Sequence, residues 1–224
     1  MKVYNADSIR NIAVVGHGGD GKTTLVEAML FNAGATERRG RVEDGNTTTD
    51  YDPEETKRHI SLTTALAPIE WKNTKLNLID APGFFDFVGE TTQAYYMADA
   101  ALVLVNAFSG VGVGAEKAFQ YCKTPMAILV NQIDKEHASF DKTVEQLREK
   151  LGAGVAPLQY PILEGESFKG YVDIIENKAY AFDGEKLKPI DMPAAVADEV
   201  ESIREQVIED AATNDEDLMM LFLD

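Results

Sequence analysis

Hydrophobic and polar residues follow one another along residues 1–151 in a pattern that predicts alternating strands and helices. Predicted strands fall at 9–15, 62–71, 75–80, 100–107 and 125–130, and the apolar runs within the first and the fourth are typical of buried strands. Segments whose apolar residues recur at the spacing of one helix face fall at 22–32, 91–97, 114–123 and 141–151. The polar turn Lys72-Asn73-Thr74 between the second and third strands favours an antiparallel hairpin. We therefore predict a three-layer α/β domain with a mostly parallel sheet and one antiparallel edge strand.

The first predicted strand and the first predicted helix are joined by a glycine-rich loop that fits the phosphate-binding pattern G-x-x-x-x-G-K-[ST]. The loop reads Gly16-His17-Gly18-Gly19-Asp20-Gly21-Lys22-Thr23, and Thr24 follows it. Backbone N–H groups in such a P-loop form a nest for anions, and the N-terminus of the next helix faces the same point. We expect Lys22 to contact the β- and γ-phosphates of a nucleotide and the Thr23 hydroxyl to bind Mg²⁺. A glycine-rich turn that matches by chance is the alternative, and the flanking strand and helix argue against it.

The third predicted strand ends in Asp80-Ala81-Pro82-Gly83, which fits the short pattern D-x-x-G. A carboxylate at this position can hold a Mg²⁺-bound water, and the Gly83 amide can donate to a γ-phosphate. The pattern alone occurs by chance in many chains. Its place one strand pair after a P-loop makes residues 80–83 part of the predicted nucleotide site.

The fifth predicted strand leads into Asn131-Gln132-Ile133-Asp134, which fits the pattern N-x-x-D. Guanine presents N1–H and N2–H₂ donors on one edge, and a single carboxylate can accept both hydrogen bonds. Adenine lacks this pair, and a buried carboxylate left without donors costs free energy, so the group discriminates between the bases. We predict that Asp134 reads guanine, while Asn131 braces the loop and contacts the base.

Residues 35–59 form a long polar stretch with few hydrophobic residues. A loop of this length is usually functional. Beside a phosphate site, the obvious role is a switch that orders around the γ-phosphate. We expect Ser61, or the nearby Thr63, to supply a further hydroxyl to Mg²⁺. A surface loop without a function is the alternative.

The negative charge of the chain is concentrated in its last third. Residues 152–224 carry five of the 21 basic and 17 of the 38 acidic side chains, and so contribute −12 of the net charge of −17. Unless basic residues cluster locally, this charge repels a phosphate backbone, and we predict no direct DNA binding. A solubilising surface explains the acidic residues most simply, and a docking surface for a basic protein is the alternative.

Two further features of the composition bear on where the protein acts. The single cysteine, Cys122, excludes a disulfide framework and suits a reducing compartment. The N-terminus has no long apolar stretch that would form a signal peptide or a membrane span. We therefore expect a cytoplasmic protein that does not contact a membrane.

The three motifs, in this order, resemble the GTP-binding domain of bacterial translation elongation factor G, and the surrounding sequence is most similar to the elongation factor G-like branch. The segments that carry the resemblance are 16–30, 40–45, 49–55, 78–83 and 86–90, together with Pro161-Ile162. The resemblance implies a P-loop GTPase fold with GTP or GDP and Mg²⁺ as cofactors. It also implies that the ribosome is the partner and stimulates hydrolysis, with Lys22, Gly83 and the residue after it at the catalytic positions.

The resemblance also gives an expected domain organisation. Residues 1–154 would be the P-loop GTP-binding core, and residues 155–224 the beginning of an α+β insertion called the G′ subdomain. Strands are then expected at 158–162, 170–175 and 178–182, with an acidic helix at 194–210 near a ribosomal stalk protein. The family's later guanine-contacting segment and its further domains do not appear in the sequence. We therefore expect a monomeric fragment of a longer factor, and a natural short protein of the same ancestry is the alternative.

The most consequential departure from the family pattern is Phe84, which stands where elongation factors have a histidine that positions the attacking water. A phenyl ring neither donates nor accepts a hydrogen bond, and this argues against hydrolysis of the usual kind because phosphoryl transfer depends on positioning. The elongation factor G-like branch often carries an aromatic residue here. A GTP-binding module that acts without useful hydrolysis is thus one alternative function, and a ribosomal protection factor of the tetracycline-resistance type is another.

Other departures concern nucleotide affinity. Gln132 replaces a lysine whose stem packs on the purine, which predicts weaker binding. Ser61 replaces a threonine and keeps the hydroxyl, while His59 replaces a glycine nearby. The carboxylate of Asp20 lies inside the phosphate nest, where it either points outward or repels phosphate.

Overall fold

A computed structural model describes residues 2–152, 154–184, 186–213 and 218–220 of the chain. Backbone contacts divide the chain into two compact units, Met1–Gln132 and Ile133–Asp224. The boundary expected between residues 154 and 155 rests on the family resemblance and stays a prediction.

The first unit is built on a five-stranded sheet. Its strands are β1 (Ile9–Gly16), β2 (Ala65–Trp71), β3 (Thr74–Asp80), β4 (Ala100–Asn106) and β5 (Met126–Asn131). Its helices are α1 (Lys22–Asn32), α2 (Pro53–Arg58), α3 (Val88–Met97) and α4 (Val113–Tyr121). The strand order is β2-β3-β1-β4-β5, and only β2 runs antiparallel to its neighbour. The predicted α/β fold, with a mostly parallel sheet and one antiparallel edge strand, is confirmed.

The core of this unit lies on both faces of β1. Val14 packs with Val26 and Leu30 of α1 in one buried cluster. Ala13 and Val15 alternate with Val14 and so point to the opposite face, yet both are completely buried. The helices α3 and α4 also contact β1. Burial on both faces explains why these strands appear in the sequence as continuous apolar runs.

Strand register brings the motifs to one edge of the sheet. Val14 of β1 pairs with Asp80 of β3, and Asn106 of β4 pairs with Asn131 of β5. The carboxyl ends of these parallel strands therefore carry the P-loop, the D-x-x-G segment and the start of the N-x-x-D segment. This edge is where open α/β sheets bind their ligands.

The polar stretch 35–59 contains more regular structure than the sequence suggested. A 3₁₀ turn covers Val42–Asp44, and α2 begins with a capping box formed by the side chains of Asp52 and Glu55. Helix α2 ends at Arg58, and the residue that caps it, His59, takes a left-handed conformation with φ 54°. A position that favours glycine is thus occupied here by histidine.

The second unit consists of a four-stranded antiparallel sheet and two helices in its described residues. They are α5 (Phe140–Leu151), β6 (Gln159–Glu164), β7 (Ser167–Asp173), β8 (Lys178–Asp183), β9 (Lys186–Ile190) and α6 (Ala194–Thr213). Val172 and Ala179 of the sheet pack with Val200 and Val207 of α6 in a second core. The expected strands and acidic helix are present, and β9 was not foreseen. Within the described residues, no helix combines the length and the apolar character needed to cross a membrane.

Candidate nucleotide-binding site

The P-loop has the backbone that its glycines predict. Gly19 and Gly21 have φ values of 88° and 91°, a region that favours glycine, and α1 begins directly after Gly21 at Lys22. A Cβ on Gly21 would lie 2.6 Å from Nδ2 of Asn131, so this position also has no room for a side chain. The loop is therefore held open at the N-terminus of a helix, as an anion site requires.

Lys22 is buried beneath this loop. Its Nζ donates to the carbonyl oxygens of His17 (2.8 Å) and Gly16 (3.3 Å). Burial lowers the pKa of Lys22, while the nearby carboxylates, Asp80 foremost, oppose the shift. A cation held inside the loop in this way is placed to meet an incoming phosphate group.

Asp80 forms the centre of a cluster of oxygen atoms. It is 1% exposed, and its Oδ2 accepts a hydrogen bond of 2.9 Å from Thr23 Oγ1. Its Oδ1 is buried and has no hydrogen-bond partner. Burial raises the pKa of Asp80 to about 6, although hydrogen bonds from Thr49 and Thr23 and the charge of Lys22 oppose the rise.

Ser61 lies beside Thr23, and its role as a metal ligand stays a prediction. Its Oγ is 3.2 Å from Thr23 Oγ1 and donates to Asp50 Oδ1 at 2.7 Å. Thr63 does not join this cluster, because its hydroxyl donates to Glu55 instead. Of the two hydroxyls considered for this position, Ser61 is the one that lies beside Thr23.

The oxygen cluster suits Mg²⁺, which prefers hard oxygen ligands and keeps several waters or phosphate oxygens. The buried Oδ1 of Asp80 is an acceptor without a donor, and the Thr23 hydroxyl is adjacent. Among the residues that the structure describes, no three His, Cys, Asp or Glu side chains are grouped closely enough to hold a metal ion by themselves. Asp80 Oδ1 and the Thr23 hydroxyl therefore fit Mg²⁺ as two of its oxygen ligands.

Sequence reasoning missed two residues that reach this cluster from the polar stretch. Thr49 Oγ1 donates to Asp80 Oδ2 at 2.8 Å, and Asp50 accepts from Ser61. Both side chains are buried, and burial raises the pKa of Asp50. The available signal was the run Thr47-Thr48-Thr49-Asp50 just before the Pro-Glu-Glu segment, which places four side chains with oxygen atoms next to one another.

The D-x-x-G segment lies directly over the P-loop. A Cβ on Gly83 would lie 2.3 Å from Nζ of Lys22 and 2.7 Å from the amide nitrogen of Gly18. Ala81 and Pro82 are buried, and the amide of Ala81 donates to the carbonyl of Val14. Only glycine allows this close approach of the segment to the loop.

Phe84 packs against the same loop. A Cβ on Gly18 would lie 2.8–3.0 Å from three atoms of the Phe84 ring, and the residue is 40% exposed. The ring also lines a cavity of about 240 Å³ with Phe85, Val88 and Tyr95. Phe84 is thus an apolar group in an apolar setting.

Asn131 and Gln132 tie the end of β5 to the P-loop. Asn131 Nδ2 donates to the carbonyl of Asp20 at 2.7 Å, and Gln132 Nε2 donates to the carbonyl of Gly19 at 2.9 Å. Gln132 also accepts a bond from Asn106. The expected bracing contact of Asn131 is present, whereas its contact with a base stays a prediction.

Asp134 is exposed and belongs to the second unit, and its role as the guanine reader likewise stays a prediction.

The carboxylate of Asp20 does not point outward. It is buried, and its Oδ2 accepts a 2.8 Å bond from the backbone N–H of His17. Burial raises the pKa of Asp20, against the opposing bond from His17. One donor of the nest is therefore already used, which is consistent with weaker phosphate binding. Thr24, which was also predicted to contact the nucleotide, is exposed in the first turn of α1.

Comparison with known proteins agrees with this geometry. An elongation factor G-like protein of Thermotoga maritima is 35% identical over 97% of the chain, and elongation factor G of Mycoplasma genitalium is 36% identical over all of it. The chain spans about a third of their length, 31% and 33% respectively. A crystal structure of a protein from Thermus thermophilus superimposes with a TM-score of 0.91 at 40% identity, over 96% of this chain and 33% of that one.

The similarity to elongation factor G and elongation factor G-like proteins confirms the resemblance seen in the sequence. The family described as the elongation factor Tu GTP binding domain matches residues 7–215, nearly the whole chain. The protein therefore belongs to the family of elongation factor Tu-type GTP-binding domains.

Proposed function

We propose that the chain is the nucleotide-binding and GTP-hydrolysing domain of an elongation factor G-like translational GTPase. The observation that carries the proposal is the convergence of Lys22, Thr23, Asp80 and Gly83 at one sheet edge. Thr23 bonds Asp80 at 2.9 Å, and Gly83 approaches Lys22 so closely that a Cβ there would lie 2.3 Å from Nζ. This is the arrangement that a shared site for phosphates and Mg²⁺ requires.

Each of these residues has a defined task in the proposal. Lys22 would neutralise the β- and γ-phosphates, and the amide of Gly83 would donate to the γ-phosphate. Thr23 and Asp80, with Ser61 beside them, would hold Mg²⁺, which supplies neutralisation of the phosphate charge when bound. Asp134 would read the guanine edge. The family membership supports the guanine nucleotide.

A partner is proposed for hydrolysis because the chain offers no proton acceptor at position 84. The relatives named as elongation factors support the ribosome as that partner in the cytoplasm. The acidic second unit would then lie near a ribosomal stalk protein. Cosedimentation with ribosomes in the presence of a non-hydrolysable GTP analogue tests this part, and absence of the chain from the ribosome pellet in every nucleotide state would contradict it.

Phe84 favours a second candidate, a GTP-binding module that acts through its conformation and does not turn over. Its ring covers Gly18 of the P-loop and offers no hydrogen bond to a water. Single-turnover hydrolysis with and without ribosomes separates the two candidates. A ribosome-stimulated rate supports the GTPase, whereas bound GTP that persists in both conditions supports the module.

Calorimetric titration with GDP, GTP and ATP, each with and without Mg²⁺, tests the nucleotide proposal itself. We expect binding of both guanine nucleotides, tightened by Mg²⁺, and no saturable binding of ATP. Equal affinities for GTP and ATP would contradict the role given to Asp134. A guanine-nucleotide affinity that is the same with and without Mg²⁺ would contradict the roles of Thr23 and Asp80.

A further inference from the structure

Thr49 makes a contact that the three motifs do not explain. It lies in the polar stretch, yet it is 3% exposed, and its hydroxyl donates to Asp80 Oδ2 at 2.8 Å. Thr23 donates to the same oxygen, so Oδ2 has two donors while Oδ1 has none. The two threonines thus orient the carboxylate so that its free oxygen is turned away from them.

A buried carboxylate on α1 fixes the backbone on which Thr49 sits. Glu27 follows Thr23 by one helical turn and is 1% exposed. Its two oxygens accept backbone N–H bonds from Gly40 (2.8 Å) and from Thr48. The helix that carries Lys22 therefore also carries the anchor for the segment next to Thr49.

We propose that Thr49 is a positioning residue for Mg²⁺: its hydroxyl orients Asp80 and ties residues 47–50 to the metal site, with Glu27 as the anchor. The inference rests on the proposed function and deepens it. It assigns to Thr49 a task different from that of Ser61, whose hydroxyl donates to Asp50 and lies beside Thr23.

The hydroxyl proton of Thr49 is the part of the side chain that orients Asp80. Oδ2 is saturated by Thr23 and Thr49, so Oδ1 remains the acceptor for the ion or for a water on it. Thr23 would hold the ion through a lone pair of its hydroxyl oxygen, and Thr49 would then be the donor that holds Oδ2. Loss of that donor frees the carboxylate to rotate and releases the segment from the site.

The test uses the 224-residue chain loaded with a fluorescent methylanthraniloyl derivative of GDP. The Mg²⁺ concentration that half-maximally slows nucleotide release is measured for the unaltered chain, Thr49→Val and Thr49→Ser. Thr49→Val keeps the shape and removes the hydroxyl, and it should raise this concentration about tenfold, the size expected for a lost hydrogen bond to a charged group. Thr49→Ser keeps the hydroxyl and should stay within about twofold of the unaltered chain.

Thr143→Val is the matched control, because Thr143 is also buried and its hydroxyl donates to the backbone carbonyl of Ser139. It should not move the Mg²⁺ midpoint. Release rates in EDTA should be alike for all four proteins, since the task of Thr49 is exerted through the metal. Thermal unfolding reports whether Thr49→Val is folded, and Thr49→Ala carries the same prediction if it is not.

Two results would overturn the inference. One is a Mg²⁺ midpoint of Thr49→Val that matches that of Thr143→Val. The other is an equal change of its release rate with Mg²⁺ and in EDTA, which marks a general loss of structure. If the unaltered chain binds no fluorescent GDP, both the proposed function and the role of Thr49 are contradicted. If nucleotide release depends on Mg²⁺ but is the same in the Thr49 variants, only the role of Thr49 is contradicted.

Discussion

Asp80 is a buried carboxylate, and its burial makes the stability of the metal-free chain depend on pH. Burial raises its pKa from 3.8 to about 6. Because the pKa is higher in the folded chain than in the unfolded chain, protonation of Asp80 favours folding. The stabilisation is complete below about pH 4 and is lost as the pH rises through about 6.

The size of the effect follows from the shift. A rise of about two pKa units corresponds to about 3 kcal/mol in the free energy of unfolding. Between pH 5 and pH 8 the linkage relation gives a decrease of about 1.4 kcal/mol in the free energy of unfolding. This interval lies above the isoelectric point of about 4.5. Asp80→Asn removes the titration and keeps an oxygen that can accept from Thr23 and Thr49.

Urea unfolding of the chain and of Asp80→Asn, followed by circular dichroism in EDTA at pH 5, 6, 7 and 8, measures this difference. Other ionisable groups titrate in both proteins, so their contributions largely cancel in the comparison. The stability of the unaltered chain relative to the variant should fall by about 1.4 kcal/mol from pH 5 to pH 8. A difference that stays constant, or that grows in favour of the unaltered chain at high pH, would refute the reasoning.

Three further substitutions test other parts of the account. Gly83→Ala places a Cβ 2.7 Å from the backbone nitrogen of Gly18 and should weaken GTP binding in calorimetry by about tenfold or more; an unchanged affinity would show that the segment does not pack on the loop. Phe84→His introduces a proton acceptor and should accelerate single-turnover GTP hydrolysis by about 100-fold, whereas an unchanged rate would show that Phe84 does not limit hydrolysis. Gly170→Ala places a Cβ 1.9 Å from the carbonyl oxygen of Tyr180 and should destabilise the second unit by about 1–3 kcal/mol in urea, and a neutral result would contradict the close pairing of β7 and β8.

The sequence predicted those parts of the fold that depend on local patterns. Helix α1 begins at Lys22 and ends at Asn32, as the P-loop pattern and the apolar spacing indicated. Strands β1 and β4 were recognisable because burial on both faces gives each of them an uninterrupted apolar run. Strand β9 was not predicted because all five of its residues are exposed, so that the sequence shows no buried face. Two of the five are lysines, and Pro189 interrupts the run.

The candidate site was predictable where its residues belong to a motif and not where they depend on the path of a loop. Thr23 and Asp80 meet because parallel strands end at one edge of the sheet. Thr49 reaches Asp80 from a loop whose backbone at Thr48 is bonded to Glu27, and long-range contacts of this kind leave no periodic signal in the sequence. The inward orientation of Asp20 was likewise undecided by sequence, since either direction is sterically open to an aspartate in a loop.

The central claim, that this chain is a guanine-nucleotide domain, is tested most directly by exchanging the hydrogen-bonding character of Asp134. Calorimetry compares GDP with xanthosine diphosphate, which carries a carbonyl oxygen in place of the guanine amino group, for the unaltered chain and Asp134→Asn. The unaltered chain should prefer GDP by about 100-fold, and Asp134→Asn should reverse the preference, because its amide donates where the carboxylate accepted. An unaltered chain that binds the two nucleotides equally, or a variant that keeps the preference for GDP, would contradict the account.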